Sequence, residues 1–192
     1  MKVVLGIGNP GREYEATRHN VGFRVVDRVA ASVGVEVKKR KFKALLGEGM
    51  SDGERLLLVK PQTFVNLSGE SARAVIDYFG VGVDSLLVVT DDVNLPLGTV
   101  RCRPGGSSEG HNGLDSVIQH LGTSEFARLR VGVGRPEAGY ETEGGEGKLV
   151  GHVLGRFSEE EKPVAAQAEA GAAEAVLVWV GSGLEECQNL FN

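Results

Sequence analysis

The chain has 192 residues, of which 41% are hydrophobic and 24% charged, with a formal net charge of −5. That length fits one globular domain, the composition excludes a wholly disordered chain, and the acidic balance argues against indiscriminate nucleic-acid binding through bulk charge. Two cysteines fit a reduced cytosolic protein better than a disulfide-built one, and no run approaches the ~20 apolar residues of a membrane span.

Lys2 to Ile7 is a short apolar run bounded by glycines, as in a buried strand. Val21, Val25, Val29 and Val33 then recur at helical spacing from Asn20 onward. Leu56 to Val59 reads as a second strand. A helix follows Asn66, with Ser68 as a candidate cap and Ala72, Val75, Ile76 and Phe79 on its apolar face. Leu86 to Val89 is a third strand, Thr99 to Arg103 a weaker one, and Arg128 to Val133 a fifth; Leu114 to Leu121 is a short helix between the last two. Residues 136–148 are polar and glycine-rich, the pattern of a mobile surface loop. Ser158-Glu159-Glu160-Glu161 matches a capping box and opens an alanine-rich helix that ends at Gly181 and Gly183, before a last helix from Leu184 to Phe191. Strands alternating with helices predict a single α/β domain over residues 1–192, with a mixed, mainly parallel twisted sheet flanked by helices.

The 28 glycines are about twice the usual ~7% share and cluster in several separate loops. One cluster, Gly6-Ile7-Gly8-Asn9-Pro10-Gly11, has the G-x-G-x-x-G spacing of a dinucleotide site. That site needs a helix starting inside the glycine turn, so that its N–H groups face a pyrophosphate. Pro10 biases Asn9 toward extended geometry, and the next helical pattern starts only near Asn20. The nucleotide-binding reading is therefore disfavoured against a plain turn that displays Asn9.

No pair among the four histidines has metal-box spacing, so a zinc site is not expected. His120 and His152 read as structural or solvent-facing. His19, in Thr17-Arg18-His19-Asn20, lies between a strand-end turn and the first helix, where open α/β sheets build their sites; a structural and a catalytic role both stay open for it. Asp91-Asp92 closes the third strand. An aspartate there can hold a histidine by its Nδ1 proton, or simply make a turn. Asn66 and Asn112 stand at helix starts, as site groups or as caps.

With Gly8-Asn9-Pro10-Gly11 and Tyr14, Thr17 to Gly22, Lys60-Pro61-Gln62-Thr63-Phe64, Asn66-Leu67-Ser68-Gly69, Asp91-Asp92 and Gly110-His111-Asn112-Gly113-Leu114 in one order, the sequence resembles the bacterial type of peptidyl-tRNA hydrolase nearly end to end. The resemblance implies a cytoplasmic, monomeric enzyme that needs no metal or cofactor. Its reaction would be hydrolysis of the ester joining a peptide to the 3′ ribose of tRNA, which recycles tRNA from peptidyl-tRNAs dropped by ribosomes. Carried over by position, His19 is the general base for water, Asp91 orients it, and Asn9 lies beside the reacting centre. Asn66 and Asn112 bind the peptide backbone, Tyr14 and Val65 line the site near the terminal nucleotide and peptide, and Arg103 and Arg130 clamp the 5′-phosphate of the acceptor stem. Two positions depart from the pattern: Glu109 stands where a small residue is frequent, and Asn94 where aspartate is common. A carboxylate at Glu109 is expected to weaken tRNA contact by repulsion unless it points away. A non-catalytic RNA-binding relative is the alternative from another class.

The residues suit that chemistry. Ester cleavage needs a base near neutrality, which histidine supplies, and donors aimed at the developing oxyanion, which asparagine amides and glycine-loop N–H groups supply. No G-x-S-x-G nucleophile elbow is present, which favours direct attack by water. Lys38 to Lys43 holds five cations in six positions, a solvated edge or a cationic track. Arg101, Arg103, Arg128 and Arg130 alternate on two strands, and Arg101 and Arg128 are expected to face away from the phosphate clamp.

Overall fold

The computed structural model describes residues 1–136 and 145–192. Its seven-stranded sheet contains β1 (Lys2–Gly6), β2 (Lys39–Lys41), β3 (Ala44–Ser51), β4 (Glu54–Pro61), β5 (Leu86–Asp92), β6 (Val100–Arg103) and β7 (Ala127–Gly132), in the spatial order β2-β3-β4-β1-β5-β7-β6. β2, β4, β1, β5 and β7 point one way, and β3 and β6 the other. The mixed, mainly parallel α/β sheet expected from the sequence is therefore present.

β1 and β5 lie at the centre with helices on both faces, which is why they are continuous apolar runs and not alternating ones. Val4 points toward α1 (Val21–Ser32) and α5 (Glu161–Phe191), where Val25, Val29 and Trp179 pack against Leu58, Leu87 and Val89. Val3 and Leu5 point the other way, into a second core closed by Val75 and Ile76 of α2 (Ser68–Phe79) and Val117 of α3 (Asn112–Leu121). Burial holds the valine-rich α1 in place despite its modest intrinsic propensity.

The hairpin of β2 and β3 was not among the expected elements. Gly47 and Gly49 interrupt the apolar pattern of β3; both sit where Val35 leaves no room for a side chain. A local signal did exist: Asp52 (φ 49°) and Gly53 (φ 78°) form the two-residue turn that joins β3 to β4, as Asp-Gly often does in hairpins. Ser68 is a correction too. It is the first residue of α2, and its Oγ donates to the Val65 carbonyl at 2.7 Å instead of accepting from the helix. The capping box is present: Ser158 N donates to Glu161 Oε2 (2.8 Å) and Glu161 N to Ser158 Oγ (3.2 Å). Gly183, at φ 86°, breaks α5 where the sequence places an end.

The two cysteines differ from the expectation of reduced thiols. Cys102 of β6 and Cys187 of α5 are joined in a disulfide. Their separation of 85 residues hid this; only the packing of α5 on the β6 edge brings their Cα atoms to 6.4 Å. Of the expected loop at 136–148, residues 137–144 lie outside the described residues. Its last positions are helical instead, since α4 (Gly145–Val153) begins there and carries Leu149 and Val150 toward the rim of a cleft. No helix among the described residues is long and apolar enough to cross a membrane.

Because β1, β4, β5 and β7 are parallel, their carboxyl ends share one rim, where open α/β sheets bind ligands. α1 reaches that rim through Gly22. A Cβ there would lie 2.6 Å from Ile7 N and from Val89 O, so only glycine lets the first turn of α1 rest on the ends of β1 and β5. The short 3-10 turn Arg18–Asn20 is thereby brought over Asp91. No helix starts within the glycine turn after β1, as the sequence argument against a dinucleotide site requires.

Candidate active site

Asp91, 3% exposed at the end of β5, is the deepest charged group of the rim. His19 Nδ1 lies 2.9 and 3.0 Å from its two carboxylate oxygens. Burial would raise the Asp91 pKa, but the charges and hydrogen bonds of His19 and His111 outweigh it and hold the carboxyl far below its usual range. Burial alone would lower the His19 pKa; the charge of Asp91 and its hydrogen bond overcome that and leave it raised above 6.5. An ionised Asp91 must accept, so Nδ1 of His19 carries the proton and Nε2 keeps its lone pair.

The turn carrying His19 is anchored from behind. Arg18 donates to the Arg156 carbonyl (2.8 Å) and to Glu161 Oε2 (2.7 Å), and Thr17 bridges to Arg156. Arg24 pairs with the buried Glu169 at 2.6 Å, which ties α1 to α5. Two charged clasps thus fix the base on its helix.

In the sequence His111 is only one letter of the Gly110–Leu114 motif, with no role of its own. It caps α3: its Nδ1 accepts from Gly113 N (3.1 Å) and Leu114 N (3.3 Å). Nε2 must therefore hold the ring proton, and it faces both Asp91 Oδ1 (2.9 Å) and Thr90 Oγ1 (2.7 Å). Thr90 gives its own proton to the Asp91 carbonyl, so its oxygen is free to accept. Asp91 thus receives an N–H from each of two imidazoles. Atoms of His19, Asp91 and His111 lie within 4.8 Å of one another, close enough for a cation. The donors do not suit one, because the lone pair a metal needs at His111 Nε2 is replaced by a proton. Replacing His111 by alanine is expected to remove the α3 cap and one donor to Asp91. The cap alone costs about 1 kcal/mol, read as a lower urea midpoint with an unchanged slope.

Asn9 is held by its backbone and by one end of its side chain. Its N donates to Asn20 Oδ1, Asn20 Nδ2 donates back to its carbonyl, and its Oδ1 accepts from Val65 N, all at 2.9 Å. Asn9 Nδ2 has no partner among the described residues, and Asn9 lines the cleft. Asn20 was not a candidate; only its place beside His19 in the sequence signalled it. The cleft, about 270 Å³, brings together Asn9, His19, Val65, Asn66, Asp91 and Asn112 from the turn after β1, the 3-10 turns before α1 and α2, the end of β5 and the start of α3. Exposed Phe64 and the α4 residues Leu149 and Val150 make its flank apolar. Tyr14 is not in the lining; it packs edge-on against Phe64, with ring centroids 6.5 Å apart.

Arg130 reaches the cleft, and it also borders a second cavity of about 110 Å³ with Arg103 and Arg128. The expectation that Arg101 and Arg128 face the other side is wrong. The register sets Arg101 opposite Arg130 and Arg103 opposite Arg128, and opposed residues of an antiparallel pair share a face. Residues two apart in a strand share a face, so alternation alone puts Arg101 with Arg103 and Arg128 with Arg130. The register adds that the two pairs leave the same face of the sheet. They differ in surroundings. Arg128 is buried and donates to the carbonyls of Ser107 (2.5 Å) and Ser124 (3.2 Å), shaping the loop before His111. Arg101 donates to the Asn192 carbonyl at 2.7 Å. The lysine run falls on β2, the edge strand opposite β6.

A family model described as peptidyl-tRNA hydrolase matches residues 3–192. Peptidyl-tRNA hydrolases of Caldanaerobacter subterraneus and Halalkalibacterium halodurans are 47% and 50% identical, each over the full length of both chains. The crystal structure of peptidyl-tRNA hydrolase from Acinetobacter baumannii superposes with a TM-score of 0.91 at 31% identity, covering 100% of this chain and 94% of that one. A uridine phosphorylase from Vibrio fischeri, at 10% identity and a TM-score of 0.53, shares the fold alone.

Proposed function

The chain belongs to the peptidyl-tRNA hydrolase family, and we propose that its cleft cleaves the peptide–tRNA ester by direct attack of water on the carbonyl carbon. It is a hydrolase, and its substrate is peptidyl-tRNA released prematurely by ribosomes. The observation that carries the mechanism is the ionised, buried Asp91 bound to His19 Nδ1, which leaves the Nε2 lone pair for a water proton. As Nε2 takes that proton, the water oxygen bonds to the carbonyl carbon and the carbonyl oxygen becomes an oxyanion. Asp91 stabilises the imidazolium formed. Asn9 Nδ2, fixed by three hydrogen bonds to the rest of the residue, is the donor for the oxyanion. Collapse breaks the ester, and the imidazolium returns the proton to the 3′ oxygen of the ribose. The peptide leaves as a carboxylic acid and the tRNA with a free 3′ hydroxyl.

Asn66 and Asn112, both exposed in the lining of the cleft, hold the backbone of the peptide's last residues. Val65, with Tyr14 acting through Phe64, shapes the wall for the terminal nucleotide and peptide, and Arg103 and Arg130 hold the 5′-phosphate of the acceptor stem. The reaction as written draws on no metal or cofactor. On the same reading the protein acts as a monomer in the cytoplasm, where translation supplies its substrate.

The test is release of the acyl group from N-acetylated aminoacyl-tRNA, with free aminoacyl-tRNA as control. Rapid cleavage of the first and slow cleavage of the second is the expected result; tRNA binding without cleavage of either would favour a non-catalytic RNA-binding relative. Replacing Asn66 or Asn112 by alanine should narrow this preference. A site built to hydrogen-bond a substrate amide penalises an analogue lacking it, since its own polar groups are left unpaired. Both single variants discriminating as well as wild type would place amide recognition elsewhere.

A further inference from the structure

Glu109 has left-handed backbone at φ 51° and precedes Gly110 at φ 82°. A residue with a long side chain is uncommon there, and such an outlier points toward a constraint to be explained. The side chain turns onto Arg130, with Oε2 2.5 Å from Nη2. It also accepts from Asn94 Nδ2 at 3.4 Å. Asn94 is itself fixed, by its N–H donating to Asp92 Oδ1 (2.7 Å) and by Arg135 Nη2 donating to its Oδ1 (2.6 Å). The carboxylate therefore stands at the wall between the cleft and the smaller cavity, and among the described residues it is the one acidic group lining that smaller cavity, beside Arg103, Arg128 and Arg130.

We propose that Glu109 sets the affinity for tRNA as an internal stand-in for phosphate, occupying Arg130 until the 5′-phosphate of the substrate displaces it. This rests on the reading of Arg103 and Arg130 as the phosphate clamp. Three observations make displacement physical. Glu109 is 45% exposed in its side chain and can turn into water, whereas Arg130 is only 17% exposed and stays. Arg130 Nε lies 2.5 Å from Asp92 Oδ2, a contact of opposite charges without hydrogen-bond alignment, and this holds the guanidinium when Glu109 leaves. Arg103 has no hydrogen bond or ion pair among the described residues, so an incoming phosphate gains a second cation that Glu109 does not engage. A terminal phosphate carries about −1.5 to −2 charge at pH 7 and three acceptor oxygens, against a single charge on the carboxylate. Exchange is thus favourable but smaller than binding to an open arginine. Arg130 is kept paired in the free enzyme, and the hold on the tRNA product is weakened after cleavage.

The experiment compares wild type, Glu109→Gln, Arg130→Ala and the double variant on N-acetylated aminoacyl-tRNA carrying a 5′-phosphate or a 5′-hydroxyl. Glutamine keeps the shape and removes the competing charge. With the phosphorylated substrate, KM should fall about two- to fivefold in Glu109→Gln, the size of one surface ion pair. The gain should shrink on the 5′-hydroxyl substrate and vanish in the Arg130→Ala background. If Arg130→Ala raises KM for the phosphorylated substrate while Glu109→Gln leaves it unchanged, the clamp stands and the role of Glu109 is overturned. An equal fall on both substrates would make Glu109 a source of general repulsion, which also overturns it. If Arg130→Ala alters neither substrate, the clamp reading itself fails and the inference falls with it.

Discussion

His19→Ala is expected to lower kcat by about 10²- to 10⁴-fold, the usual contribution of a positioned general base, with tRNA binding nearly intact. The asymmetry follows from where the residue acts. His19 Nε2 gains its proton only as the water attacks, so its interaction belongs to the transition state and hardly to the bound substrate. Residual activity should persist, because Asn9 and the bound geometry still stabilise the oxyanion. The measurement is single-turnover hydrolysis beside equilibrium binding of uncleaved substrate. Wild-type-like turnover in the purified variant would remove His19 from the mechanism.

Asp91→Asn is expected to fold and to lose a comparable factor, about 10²- to 10⁴-fold in kcat. Asp91 accepts N–H groups from both His19 and His111, and an amide has one acceptor oxygen and an NH₂ where the carboxylate has two acceptors. With the amide nitrogen turned toward His19, that imidazole must accept at Nδ1, which moves its proton to Nε2 and removes the lone pair from the cleft. With the amide oxygen in the Oδ1 position both rings can still donate to it, but the negative charge that stabilises the imidazolium is gone. Stability should respond to pH in two windows. The depressed pKa of Asp91 contributes stability that is present above the ordinary carboxylate range and lost as pH falls through the folded value. The raised pKa of His19 contributes stability that is full below 6.5 and lost as pH rises through its folded value. In Asp91→Asn both contributions should be absent from a pH series of urea midpoints.

The legible parts of this chain are those set by local pattern. Val3 to Leu5 and Leu86 to Val89 are fully buried on both faces, and that burial writes itself as unbroken apolar runs. Val21, Val25 and Val29 mark α1 through their spacing, and the Ser158–Glu161 box marks the start of α5 through a local hydrogen-bond pair. His19, Asp91, Asn9, Asn66 and Asn112 were readable as strand-end and helix-start residues, and the family resemblance gave them roles. That they meet in one cleft is a property of strand order, which no local pattern contains.

What escaped the sequence depended on contacts between distant segments. The common face of Arg101, Arg103, Arg128 and Arg130 needs the β6–β7 register. The Cys102–Cys187 link needs α5 to pack against an edge strand. His111 hid because one ring nitrogen caps a helix while the other serves Asp91, and a single letter before Asn112 shows neither partner. β3 hid because Gly47 and Gly49 make room for Val35, so packing replaced the alternation by which a strand is recognised.

The pH dependence of kcat/KM in wild type and Asp91→Asn tests the central claim most directly. If His19, poised by Asp91, is the base, wild-type activity falls on the acid side through a single midpoint above 6.5, where the imidazole takes up a proton. In Asp91→Asn the remaining rate should follow a midpoint moved downward, because burial then acts on His19 without the opposing carboxylate. An acid limb that stays at the same pH in both proteins, or a wild-type rate that is flat across that range, would contradict the account.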